Sequence, residues 1–132
     1  MRFSDYVKQQ EGFLQSTPEN IAKARTFLLR KWKERAVEIG REVPVTLESA
    51  CKFCSIFAQR VFGGRLEGHY DHQYVRLQDG SILDLTDAAG LDKENAYRHD
   101  RRFWGNSDHR ESMKSCEPRV NRWVEEFKAE NK

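Results

Sequence analysis

The sequence predicts an α+β fold, a helical scaffold packed on a small antiparallel sheet, and three observations carry the prediction. Apolar residues recur at helical spacing along residues 18–39 and again along 48–62. A final stretch at 118–130 repeats that pattern, and between the second and third helices two runs rich in Val, Ile, Leu and Tyr flank an Asp-Gly pair. With 132 residues the chain is expected to be a single domain that buries a core without disulfide or metal support.

The N-terminal region, 1–40, reads as helical. Its long helix has Thr17 as N-cap, Pro18 in the first turn, Glu19 at the positive end of the dipole and Gly40 as the stop. Ile21, Ala24, Leu28, Trp32, Ala36 and Ile39 form its apolar stripe, widened by Leu29. Residues 3–14 have only a weak apolar pattern and predict a shorter helix or an irregular arm. After the connector REVPVTLE, a second helix over about 48–62 puts Ala50, Phe53, Cys54, Phe57, Ala58, Val61 and Phe62 on one buried face. At about 100° per residue Cys54 falls in the middle of that face, and Cys51 falls near its edge, close to the helix N-terminus. Gly63 and Gly64 end the helix.

Two strands follow, YDHQYVRL and SILDLT, joined through Gln78-Asp79-Gly80. With that turn Leu77 faces Ser81, so positions summing to about 158 lie opposite, and Asp84 pairs near Tyr74, one same-face step from His72. Residues 87–117 are polar and turn-rich and predict a loop, a lid or a partner surface. Pro118 opens the last helix, whose apolar face is Val120, Trp123, Val124 and Phe127.

Composition narrows the function classes. Hydrophobic residues make up 38% and charged residues 33%, and the longest apolar runs are only a few residues, so no membrane span is expected. The N-terminus MRFSDYVKQQ lacks the apolar core of a signal peptide, and three cysteines at irregular spacing do not make a disulfide framework. A cytoplasmic location is the expectation. The 23 basic and 21 acidic residues are mixed along the chain, which gives no electrostatic case for nucleic acid.

The stretch ACKFCSIFAQRVFGGRLEGHYDHQYVRLQDGSILDLTD, residues 50–87, concentrates the chemistry. Cys51-x-x-Cys54 followed by His69-x-x-His72 offers four zinc ligands, but zinc-binding Cys pairs are commonly held in a tight turn, whereas this one sits in a helical pattern with Cys54 directed into the apolar face, and the His spacing is short. A thiol-redox role for the Cys pair needs a preceding strand, whereas TLESA reads as helix or cap. A nucleophile needs a thiolate, a base and a group that orients the base. Cys51 at a helix start, His72 opening a strand and Asp84 on the neighbouring strand supply the three types in that order.

These residues resemble the transglutaminase-like and papain-like cysteine enzymes. Cys51-Lys-Phe-Cys-Ser-Ile-Phe-Ala58 is similar to the nucleophile helix of transglutaminase-like domains, and His72-Gln-Tyr-Val-Arg-Leu with Ile82-Leu83-Asp84-Leu85-Thr86 is similar to their histidine and aspartate strands. The resemblance covers about residues 48–87. A weaker resemblance to the NlpC/P60 cell-wall hydrolases would make Cys54 the nucleophile, against its position at the centre of the apolar face. The resemblance implies a cysteine hydrolase or acyltransferase of protease, amidase, deamidase or transglutaminase type, with Cys51 as nucleophile, His72 as base and Asp84 as its orienter. Such chemistry calls for no cofactor and no metal. The small size suggests a protein or peptide substrate, and the sequence leaves the oligomeric state open.

The remaining polar residues have plainer expectations. Cys54 is expected to be a core hydrophobe, Cys116 has no assigned role, and His69, His99 and His109 are expected in solvated loops. Asp71 and Asp79 read as turn residues, and Arg101, Arg102, Phe103 and Trp104 as a loop anchored by its aromatics. The alternative to an enzyme is a non-catalytic interaction or regulatory domain with a structural zinc on Cys51, Cys54, His69 and His72.

Overall fold

A computed structural model of the chain describes residues 3–86 and 93–131. It has the expected α+β class, with helices around a four-stranded antiparallel sheet in the order β1-β2-β3-β4. Among the described residues no helix is long and apolar enough to cross a membrane.

The scaffold helix follows its sequence signals. After the short α1 (Phe3–Tyr6) comes α2 (Pro18–Glu38), whose N-cap Thr17 accepts a hydrogen bond from the Asn20 amide at 3.2 Å. Ala24, Phe27, Leu28 and Ala36 are its buried face. The central helix α3 (Cys51–Phe62) is buried nearly all round, from Cys54 to Gln59 and at Val61 and Phe62. It lies between the sheet and the C-terminal helix, α7 (Glu117–Glu130), whose first residue is one earlier than the Pro118 start. Phe27, Phe57 and Phe127 meet at centroid distances of 5.2–5.7 Å, and Phe53 bridges Trp32 and Trp123 at 5.2 and 5.6 Å. These two clusters join α2, α3 and α7.

The sheet begins earlier than the sequence indicated. Gly63 and Gly64 end α3 as expected, but at φ values of +88° and +98° they turn the chain directly into β2 (Gly63–His69). The N-terminal arm contributes β1 (Gln10–Glu11), paired with those two glycines. The arm lies tight on the end of α3: the amides of Phe13 and Leu14 both donate to the Val61 carbonyl, at 2.9 and 3.0 Å. A Cβ on Gly12 would stand 2.3 Å from the Phe62 carbonyl carbon. Both strands escaped the sequence reading because GGRLEGH and QE have little β propensity, and pairing rather than composition makes them extended.

β2 pairs with β3 (His72–Arg76) from Arg65↔Arg76 to His69↔His72, around a turn at Tyr70 and Asp71. β3 in turn pairs with the two-residue β4 (Ile82–Leu83), as Val75↔Leu83 and Arg76↔Ile82, with Leu77 donating to the Ser81 carbonyl at 2.8 Å. Each pair sums to 158, the register that the Asp-Gly turn implied.

The region expected as a loop is largely helical where it is described. Residues 87–92 lie outside the described residues, and beyond them come α4 (Lys93–Ala96), α5 (Arg101–Trp104) and α6 (Ser107–Ser115). Each of the first two is a single turn, too short to show periodicity, and α6 is opened by Asn106 accepting from the His109 amide at 3.0 Å. The segment straps onto the sheet where β1 leaves the β2 edge uncovered. The Gly68 amide donates to His99 Nδ1 at 3.0 Å, and the Asp100 amide donates to the Gly68 carbonyl at 2.9 Å. Two histidines expected in solvent are therefore buried: His69 and His109 are each only 6% exposed. His99 is exposed as expected but holds the strap, and Trp104 anchors it by burial.

Candidate active site

The site forms where the start of α3 meets the β3–β4 hairpin. Cys51 is the first helical residue, and Ala50 caps the helix without a side-chain hydrogen bond, so the first amides of α3 have no capping side chain. Just ahead, Ser49 takes φ +71°, a left-handed conformation that is strained for a residue with a Cβ and sits two residues from the thiol.

The sulfur faces the sheet. Cys51 Sγ donates to Oε1 of Gln73 at 3.1 Å, and the neighbouring residue His72 opens β3, 5% exposed. His72 Nε2 lies 2.8 Å from Asp84 Oδ2, in the same-face diagonal relation that the hairpin register requires. Nδ1 is then the ring nitrogen left for a thiol, and Cys51 acts on the His72 titration by hydrogen bonding and by charge. The three predicted residues, Cys51, His72 and Asp84, converge.

Asp84 is held more fully than the sequence suggested. Its Oδ1 accepts from the Thr86 amide at 3.0 Å and the Thr86 hydroxyl at 2.6 Å, and its Oδ2 accepts from the Tyr97 hydroxyl at 3.0 Å as well as from His72. Four donors fill the acceptor capacity of a carboxylate, which fixes its plane and hence the plane of the imidazole. Asp-x-Thr is a local side-chain-to-backbone pattern and was readable in the sequence. Tyr97 was not, because it arrives from the strap.

Electrostatics separates the groups. Burial pulls the His72 pKa down, but the hydrogen bonds and charges of Asp84 and Cys51 outweigh it and raise the value from 6.5 to about 9. Burial pushes the Asp84 carboxyl up, yet bonds from His72 and Thr86 hold it below 3.8. Burial raises the Cys54 thiol well above its ordinary value, helped by the nearby charges of Cys51 and Asp84, and Cys116 is raised chiefly by burial. Cys54 is 2% exposed and Cys116 5%, so both are core thiols, as expected for Cys54.

The four residues named for zinc do not converge. Cys54 points into the core, His69 Nε2 lies 2.7 Å from the Asn95 carbonyl, and His72 is committed to Asp84. Among the described residues no group of three or more His, Cys, Asp or Glu side chains is arranged to hold a metal ion. Comparison with protein-family models, with curated proteins and with solved structures finds no match to this chain.

Proposed function

We propose that the chain is a cysteine-dependent acyl-transfer enzyme, of protease, amidase, deamidase or transglutaminase type, that attacks a peptide or carboxamide bond through Cys51, His72 and Asp84. The observation that carries the reading is the buried 2.8 Å contact between His72 Nε2 and Asp84 Oδ2, on a histidine whose titration also responds to the Cys51 thiol. An imidazole locked by a carboxylate, beside a thiol at the first residue of a helix, is the arrangement a thiol nucleophile needs.

In this mechanism Cys51 attacks the carbonyl carbon as the thiolate, paired through Nδ1 with the His72 imidazolium. Asp84 holds the tautomer that keeps Nδ1 toward the sulfur and stabilises the imidazolium. The oxyanion is received by the backbone amide of Cys51 at the α3 N-terminus, where the helix dipole also favours negative charge. His72 returns the proton to the leaving amine or ammonia, giving a thioester on Cys51. Water as acceptor then gives hydrolysis, and an amine gives crosslinking. A protein or peptide is the substrate class we favour, and three free thiols fit a reducing, cytoplasmic setting.

The test is acylation by p-nitrophenyl acetate, followed by the nitrophenolate burst and by the mass of the Cys51 peptide. We expect an acetyl group on Cys51, none in Cys51→Ala, and a rate lower by about 10²–10⁴ in His72→Ala. Equal, slow acylation of the parent and His72→Ala would sink the enzyme reading and leave a non-catalytic interaction domain.

A further inference from the structure

Gln73 is 1% exposed, and every polar atom of its side chain is engaged. Nε2 donates to the His69 carbonyl at 2.6 Å and points toward the Tyr70 carbonyl at 3.5 Å. Two carbonyls cannot accept from an oxygen, so they fix which way the amide faces, and its Oε1 is turned onto the Cys51 sulfur. An amide oxygen accepts from a thiol but offers nothing to a thiolate.

We propose that Gln73 is a further residue of the site that holds Cys51 in its protonated resting form by accepting the thiol hydrogen. The inference rests on the triad reading above. Activation is then loss of that hydrogen: the S–H bond breaks, its proton leaves to solvent water, and the thiolate left behind pairs with the His72 imidazolium without any oxidant or reductant. A half-buried nucleophile kept as a thiol resists chance alkylation and oxidation, which need the thiolate. The titratable groups around the sulfur are His72 from β3 with Asp84 behind it, Cys54 one turn along α3, and Cys116 from between α6 and α7. Lys52, next in the chain, is turned to Ser112 at 2.7 Å. With its own proton in place His72 offers the sulfur a donor, which leaves Gln73 as the acceptor of the thiol hydrogen.

Two measurements on the full chain test this. In the infrared difference spectrum between the parent and Cys51→Ala at neutral pH, we expect an S–H stretching band from Cys51 below its frequency in the urea-unfolded chain. Absence of the band, or a band at the unfolded position, would overturn the proposal, and neither result depends on a Gln73 variant folding. Next, Gln73→Met keeps the volume and removes the strong acceptor. The midpoint of Cys51 alkylation by iodoacetamide should move down by about one pH unit, a roughly tenfold faster labelling below the midpoint. A purely structural role would change labelling at all pH values together, and an unmoved midpoint in a folded variant would overturn the proposal. His72→Ala, labelled alongside, separates the two readings. If it leaves the parent profile unchanged the triad reading fails; if it shifts the profile and Gln73→Met does not, only the role of Gln73 fails.

Discussion

At the scale of single residues, Asp84 organises the site. Its four hydrogen bonds make it a rigid acceptor, and the hydrogen bond it shares with Nε2 is the main attraction that raises His72 against the pull of burial. Asp84→Asn retains the shape but removes the charge and lets the amide present a donor to the ring. The His72 midpoint, followed by NMR of the imidazole, should fall by about 1–3 units. Acylation of Cys51 should slow by about 10²–10⁴, because the wrong tautomer faces the thiol. The cysteines divide by environment: iodoacetamide at pH 8 should label Cys51 first, while Cys54 and Cys116 label only as the chain opens.

At the scale of elements, two close approaches hold the site in place. The arm around β1 sits so near the end of α3 that a methyl at position 12 collides with backbone, which no side-chain rotation relieves. Gly12→Ala should therefore cost about 1–3 kcal/mol in urea denaturation. The strap is tied to the hairpin by the Tyr97 hydroxyl on Asp84, by the Tyr74 hydroxyl on the Tyr97 carbonyl at 2.7 Å, and by Gly68 with His99 and Asp100. Tyr97→Phe removes the first of these. The Asp100 amide should then exchange up to about tenfold faster, with the β3 amides unchanged, as measured by hydrogen exchange.

At the scale of the whole molecule, α3 is the element around which the other layers pack, and the phenylalanine cluster sets the stability. Phe57, fully buried between Phe27 and Phe127, should cost about 3–5 kcal/mol when replaced by Ala. Stability also depends on pH through buried ionisable groups. The raised His72 pKa contributes stability that is complete below 6.5 and is lost as pH rises through about 9. His109 is lowered from 6.5 to about 4 by burial and then by the Lys52 charge, so its contribution is present above 6.5 and is lost as pH falls toward 4. Asp84, held below 3.8, adds a further loss at still lower pH. Denaturant midpoints should therefore peak near pH 6.5, and His72→Ala should flatten the slope between 6.5 and 9 while leaving the acid side unchanged.

The sequence by itself determined the α+β class, the three long helices, the Asp-Gly register and the triad candidates. Each of these rests on short-range information: a cap at Thr17, a 3.6-residue stripe, or a turn that fixes which residues lie opposite. That register carried Asp84 to His72, because a hairpin converts a count along the chain into a distance. Only the tertiary structure decided the strands at 10–11 and 63–69, the burial of His69 and His109, and the arrival of Gln73 at Cys51 and of Tyr97 at Asp84. Glycine-rich or two-residue strands are extended by their partners rather than by their own side chains, and a single-turn helix has no period to detect. Gln73 lies next to His72 in the chain, yet its meaning depends on Cys51, 22 residues away, and on the carbonyls that fix its amide. Such contacts exist only once helix and sheet have packed, since nothing local to β3 specifies which atom its side chains will meet.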